Sequence, residues 1–145
     1  MKNEIINKLL GEEIIQSRVM SFYIDGEMVN EILCLYVNIR GSEWFSITVS
    51  DGIAEIEELN SEPKLNPSCQ QGSNFEYVVK SIDLNGRIKD IKEYLWDGQW
   101  DECAGLFFEL YEGIGFSFVE ENNYARIILG VDERLQSGYL LKSVR

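Results

Sequence analysis

Between Glu31 and Leu59 apolar and polar residues alternate almost without interruption. Leu33, Leu35, Val37 and Ile39 take turns with Cys34, Tyr36, Asn38 and Arg40, and Phe45, Ile47 and Val49 take turns with Trp44, Ser46, Thr48 and Ser50. A period of two is what a strand with one buried face requires, because successive side chains point to opposite sides. The stretch therefore predicts three consecutive antiparallel strands. Asp51-Gly52 is a two-residue hairpin signal, since a type I′ turn needs positive φ at both central positions. Folding about it sets Val49 opposite Ala54, Ile47 opposite Ile56 and Thr48 opposite Glu55, so apolar meets apolar and polar meets polar. A two-residue loop at Gly41-Ser42 mixes the faces. A three-residue loop, Gly41-Ser42-Glu43, sets Ile39 against Phe45, Val37 against Ile47 and Leu35 against Val49, and is the expected connection.

The remaining pattern is less regular. Asn3 to Leu10 predicts a short amphipathic helix ended by Gly11, with Ile5, Ile6, Leu9 and Leu10 on one face. Ser17 to Ile24 predicts a strand that turns at Asp25-Gly26, with a bulge near Asn30 to repair the facing pairs. Residues 60–74 hold both prolines and form the one clear loop. Phe75 to Ile82 predicts a further strand. Arg87 to Trp96 predicts a helix, from Ile88, Ile91 and Leu95 at helical spacing and Gly98 just beyond. Leu106–Tyr111, Gly115–Val119 and Ala125–Val131 predict a second group of strands. The tail from Asp132 opens either as a helix or, at LLKSV, as a last strand. The two meanders share a rhythm but no common residues. The expected architecture is one α+β domain over 1–145: a mainly antiparallel sheet of about seven strands in two meanders, with two or three short helices packed on it.

Composition narrows the function classes. Length and an apolar fraction of 45% suit a single domain with its own core. No apolar run approaches a membrane span, and the N-terminus lacks the apolar segment of a signal peptide, so a cytoplasmic location is expected. Net charge is −12, from 25 acids against 13 bases. That disfavours nucleic acid and anionic membrane, which are neutralised by Lys and Arg, and favours a basic partner. Histidine is absent, which removes the commonest general base and the Ser-His and Cys-His mechanisms. The cysteines, Cys34, Cys69 and Cys103, form no CxxC pair and read as reduced thiols. Neither a metal nor another cofactor is expected.

Candidate chemistry concentrates in two places. Tyr94 to Glu102 (YLWDGQWDE) packs Trp96, Trp100 and Tyr94 with Asp97, Asp101 and Glu102 around a glycine. Tryptophan and tyrosine are enriched at binding hot spots, and interleaved acids suit a cationic partner. The structural alternative makes Trp96 and Trp100 core residues after a helix. The three acids do not match the spacing of an EF-hand loop. The second place is the acidic run Glu55, Glu57, Glu58 and Glu62, either a contact surface for a basic partner or a strand edge guarded by charge. Carboxylates paired across a cleft would suit glycoside hydrolysis, but nothing in the spacing pairs them. Gly113-Ile114-Gly115 joins two strands and is a turn, not a phosphate loop.

A single short, strongly acidic α+β domain with an aromatic–acidic patch and no catalytic histidine resembles the small bacterial immunity proteins, of the contact-dependent and polymorphic-toxin type. The resemblance is one of overall character and carries no family residues across. It implies a non-catalytic, stoichiometric inhibitor that masks a cognate basic toxin, often a nuclease. Trp96, Asp97, Trp100, Asp101 and Glu102, with Glu57 and Glu58, would then form the contact surface. A small-molecule- or peptide-binding accessory domain with a pocket between sheet and helix is the alternative.

Overall fold

The computed structural model describes residues 3–66, 74–96, 99–135 and 138–144, and for residues 3 and 99–102 the backbone alone. One helix, α1 (Asn3–Leu9), precedes ten strands. These are β1 (Glu13–Ile24), β2 (Glu27–Ile39), β3 (Glu43–Ser50), β4 (Ile53–Leu59) and β5 (Phe75–Ile82), then β6 (Gly86–Trp96), β7 (Gln99–Leu110), β8 (Phe116–Glu121), β9 (Tyr124–Leu129) and β10 (Tyr139–Ser143). The α+β expectation is therefore wrong: among the described residues the chain is an antiparallel β protein with one short helix.

The error has a physical origin in β6. Ile88, Ile91 and Leu95 do recur at helical spacing, but the pairing of β6 with β7 shifts register between Ile88 and Asp90, where β6 carries one extra residue, and the spacing of four from Ile91 to Leu95 already suits one face of a strand. A bulge inserts one residue and so turns a spacing of two into a spacing of three. The Asp90 carboxylate accepts the Ile91 amide at 2.9 Å beside this shift, and Ile88 and Ile91 both reach the core. The tail makes a single turn, with the Leu135 amide donating to the Asp132 carbonyl, and then becomes β10.

The meander over β2, β3 and β4 forms largely as its pattern requires. Val49 faces Ala54, Ile47 faces Ile56 and Thr48 faces Glu55, with Asp51 and Gly52 at φ 52° and 78°. The earlier connection differs. Its three residues are Arg40, Gly41 and Ser42, so Val37 faces Phe45 and Leu35 faces Ile47. The two registers differ by a slip of two, which leaves every face unchanged, so patterning could not separate them. Arg40 takes φ 60° in this turn and pairs with Glu12. The β1–β2 hairpin is bulged around residues 29–33, beside the expected position near Asn30, with Phe22 opposite Asn30.

The strands form two leaves, β5-β1-β2-β3-β4 and β10-β6-β7-β8-β9, joined where Glu13 and Ile14 pair with Arg87 and Gly86. The leaves have the same topology. Ile24 pairs with Glu27 and Trp96 with Gln99, each across an Asp-Gly dipeptide; Ser50 pairs with Ile53 and Glu121 with Tyr124, each across a two-residue turn. β3 lies over β8, β4 over β7 and β2 over β9. Exchanging the leaves preserves this set of contacts, as a two-fold relation demands. The two halves are thus a structural repeat that the sequence does not display.

The main core lies between the leaves, around Leu35, Phe45, Ile47, Leu106, Phe108 and Phe118, and Ile6 and Leu9 of α1 close it. The chain leaving α1 is tied to β6 by Gly11 N to Ile88 O and Ile88 N to Glu12 O, at 2.8 and 2.9 Å. A second cluster sits on the outer face of the second leaf. There Tyr94, Phe107 and Val119 are covered by Val131, Leu135, Tyr139 and Leu141 of the C-terminal segment. On the first leaf's outer face, Arg18 is buried over the Trp44 ring at 4.5 Å. It donates to the Pro63 carbonyl at 2.5 Å and pairs with Glu62 at 2.7 Å, which pins the start of the 60–66 segment.

Candidate functional site

β4 is a free edge of the first leaf, and its sequence IAEIEEL divides by face. Ala54 and Ile56 point inward opposite Val49 and Ile47, whereas Ile53, Glu55 and Glu57 point outward. Beside this edge lies an open groove of about 650 Å³, lined by β4 and by Ile5 of α1. Ile53 is 56% exposed at its rim. Glu58 closes one end through a 2.7 Å ion pair to Lys8 of α1, and that hydrogen bond holds the Lys8 ammonium above its ordinary pKa. Among the described residues, neither Glu55 nor Glu57 has an ion-pair partner. The groove thus couples an apolar floor to two uncompensated carboxylates, a combination suited to a cationic, partly apolar ligand.

The other expected site residues fall into three groups. Trp96 ends β6, 40% exposed, with its ring edge-on to Tyr139 at 5.0 Å. It ends a strand, not a helix, and packs on the C-terminal strand β10. Trp100, Asp101 and Glu102 lie on β7, with their side chains outside the described residues, as is Asp97 altogether. The backbone nevertheless brings this segment to β4, because the Cys103 amide donates to the Gly52 carbonyl at 2.8 Å. Strand β7 therefore carries residues 100–102 up to the start of the acidic edge. The backbone of residues 100–102 thus approaches the Gly52 end of β4, Glu57 and Glu58 lie toward its other end beside Lys8, and Trp96 packs on Tyr139. Cys69 and the rest of residues 67–73 lie outside the described residues.

Sequence reasoning missed the apolar half of the groove. Ile53 is an apolar residue on the outward, polar face of its strand, and that break in the alternation was the available signal. Nothing in the sequence marks Ile5 or Lys8 as neighbours of β4, since they meet it only through the tertiary fold.

A second groove, of about 440 Å³, opens between the leaves, walled by Val19, Glu31, Ile32, Lys80 and Ile82 of the first leaf and by β9 of the second. Ala125, Arg126 and Ile127 of β9 line it where Ala54, Glu55 and Ile56 of β4 line the first. The small residue and the isoleucine are kept, and the charge between them is reversed. Arg126 is already committed to Glu121 at 2.5 Å, and the second groove carries both signs, with Lys80 opposed by Glu31 and Asp83. Among the described residues, the charged side chains that line the β4 groove are all carboxylates.

Catalytic groups are sparse at these sites. The Cys34 and Cys103 thiols are buried, which pushes each up to about 11 and keeps both protonated at neutral pH. Among the described residues, no three His, Cys, Asp or Glu side chains converge as metal ligands. Among the described residues, no helix is long and apolar enough to cross a membrane. No family model, no curated protein and no solved structure matches this chain.

Proposed function

We propose that this chain is a stoichiometric protein inhibitor of the immunity type, which acts without catalysis in the cytoplasm by binding and neutralising a basic cognate toxin such as a nuclease. The observation that carries this proposal is the β4 edge, where Glu55 and Glu57 stand unpaired along an apolar groove. Unpaired carboxylates accelerate encounter with a cationic surface, and the effect falls with added salt. Burial of Ile5 and Ile53 against the partner slows release, where most differences in affinity reside. In this reading Trp100, Asp101 and Glu102, whose strand β7 meets the Gly52 end of β4 through Cys103, would add to the contact. Net charge of −12 adds long-range attraction for such a partner.

The test uses the tagged protein and its Glu55→Lys/Glu57→Lys variant as bait for lysate of the source organism, washed at low and then high salt. One basic protein should be retained in stoichiometric amount by the parent at low salt and lost by the variant. That protein, expressed alone, should arrest growth, and co-expression of the parent chain should relieve the arrest. A retained protein that is harmless when expressed alone overturns the inhibitor assignment.

The groove between the leaves favours a different class, a small-molecule-binding accessory domain. Its apolar wall of Val19, Ile32, Ile82 and Leu84 with opposed charges would hold a zwitterionic ligand. This alternative requires a small molecule to be retained through native purification and identified by mass spectrometry.

A further inference from the structure

We propose that the β4 edge binds its partner by strand addition, accepting an extended basic segment as a sixth strand of the first leaf. This mode rests on the inhibitor reading above and specifies how the surface is used. Three observations carry it. First, β4 ends the strand order of its leaf. Ser50 and Ile53 close the hairpin across a two-residue turn, so Ile53, Glu55 and Glu57 direct their backbone groups to β3. Ala54, Ile56 and Glu58 direct theirs to the open side, where no backbone hydrogen bond reaches them among the described residues. Second, the groove runs along this edge for the whole stretch from Ile53 to Glu58. Third, the two faces of β4 differ in chemistry. An added strand places alternate side chains beside Ala54, Ile56 and Ile5 on one face, and beside Glu55 and Glu57 on the other.

The partner segment is therefore specified by chemistry: apolar residues alternating with Lys or Arg. Charged residues on an edge ordinarily discourage strand pairing. Here they discourage pairing with a second acidic copy and favour a basic strand, so the charge selects the partner. The pseudo-equivalent edge β9 lacks this selectivity, because Arg126 and Ile128 stand where Glu55 and Glu57 stand on β4.

The probe is a synthetic heptapeptide of alternating valine and lysine, titrated into the full-length protein and followed by amide hydrogen exchange. Strand addition slows exchange at Ala54, Ile56 and Glu58 by about tenfold or more, while Ile53, Glu55 and Glu57, already bonded to β3, change little. Ala54→Pro removes one open-side N–H, a substitution edge strands tolerate, and should weaken peptide binding by about tenfold or more. The exchange measurement on the unmodified protein stands by itself where that variant fails to fold. Failure of the peptide to bind, or binding that leaves exchange at Ala54, Ile56 and Glu58 unchanged, overturns strand addition. If the salt-sensitive capture of a toxin still succeeds in that case, the inhibitor reading survives and only its mode is lost.

Discussion

The hydroxyls of Tyr94 and Ser117 lie 2.7 Å apart inside the second leaf's outer cluster, and the Asp132 amide donates to the Tyr94 oxygen at 2.8 Å. Ser117 in turn donates to the Gly130 carbonyl at 2.7 Å. One buried phenol thus ties β6, β8 and the C-terminal segment together. Tyr94→Phe leaves the Asp132 amide without its acceptor and should cost about 1–3 kcal/mol, because a buried donor left unpaired loses its solvation without return. Urea unfolding measures this directly. Capture of a basic partner through β4 should be unchanged, since Tyr94 is on the other leaf.

Glu55→Lys/Glu57→Lys should behave in the opposite way. Both side chains are exposed and have no ion-pair partner among the described residues, so stability should move by no more than about 0.5 kcal/mol per site. The expected change is in association rate and in its salt dependence, read by surface-bound kinetics with the captured partner. A large fall in the melting midpoint instead would place these carboxylates in the fold's own support.

Gly105 is the strictest backbone position. Its φ is +150°, and an added Cβ would lie 2.2 Å from the Phe118 carbonyl oxygen and 2.6 Å from the Val119 Cα. Both obstacles are main chain of the paired strand β8. Gly105→Ala should therefore destabilise by more than about 3 kcal/mol, seen as loss of a cooperative thermal transition. Gly26→Ala is the contrasting control: φ is similarly unfavourable at +81°, but no atom lies within 4 Å, so only the strain of the turn is added.

Stability should fall at alkaline pH through the thiols. Burial raises Cys34 and Cys103 from an ordinary 9.0 to about 11. Below pH 9 each thiol is neutral in both states, and its contribution is complete. Between pH 9 and about 11 the unfolded chain ionises first, so stability declines by up to about 2.7 kcal/mol per thiol. Tyr36, raised by burial to about 12, extends the decline upward. Cys34→Ala/Cys103→Ala should flatten the profile of unfolding free energy over pH 9–11. At the acid end the sign reverses: the Arg40 hydrogen bond holds Glu12 below its ordinary 4.5. That contribution is complete above pH 4.5 and disappears as pH falls through the folded value.

Trp96→Ala separates structure from binding in the aromatic stretch. The indole stacks edge-on with Tyr139 at 5.0 Å, and an added Cβ at Gly138 would meet it at 2.8 Å. Truncation should loosen β10 from β6 and cost about 0.5–1.5 kcal/mol beyond the lost area, without changing capture through β4.

Local pattern settled what depends on near neighbours along the chain. The alternation in β2 and β3 and the Asp51-Gly52 turn determined the strands, their faces and the β3–β4 register, because period and turn geometry are written in a few adjacent residues. The Phe75–Ile82 strand, α1 and the net charge were equally legible. Tertiary structure alone decided the rest. The bulge of β6 at residues 88–90 gives Ile88 and Ile91 a helical spacing, and it exists only against β7, a partner the local pattern does not name. The shared topology of the two leaves leaves no trace in residue identity, because many side chains fill the same pleat. The candidate site arises the same way: Glu57 and Glu58 were visible as acids, but only folding brings Ile5 and Lys8 of α1 beside them and turns β4 into an open edge. Which strand is left without a neighbour is a property of the assembled sheet, since it depends on every other pairing at once.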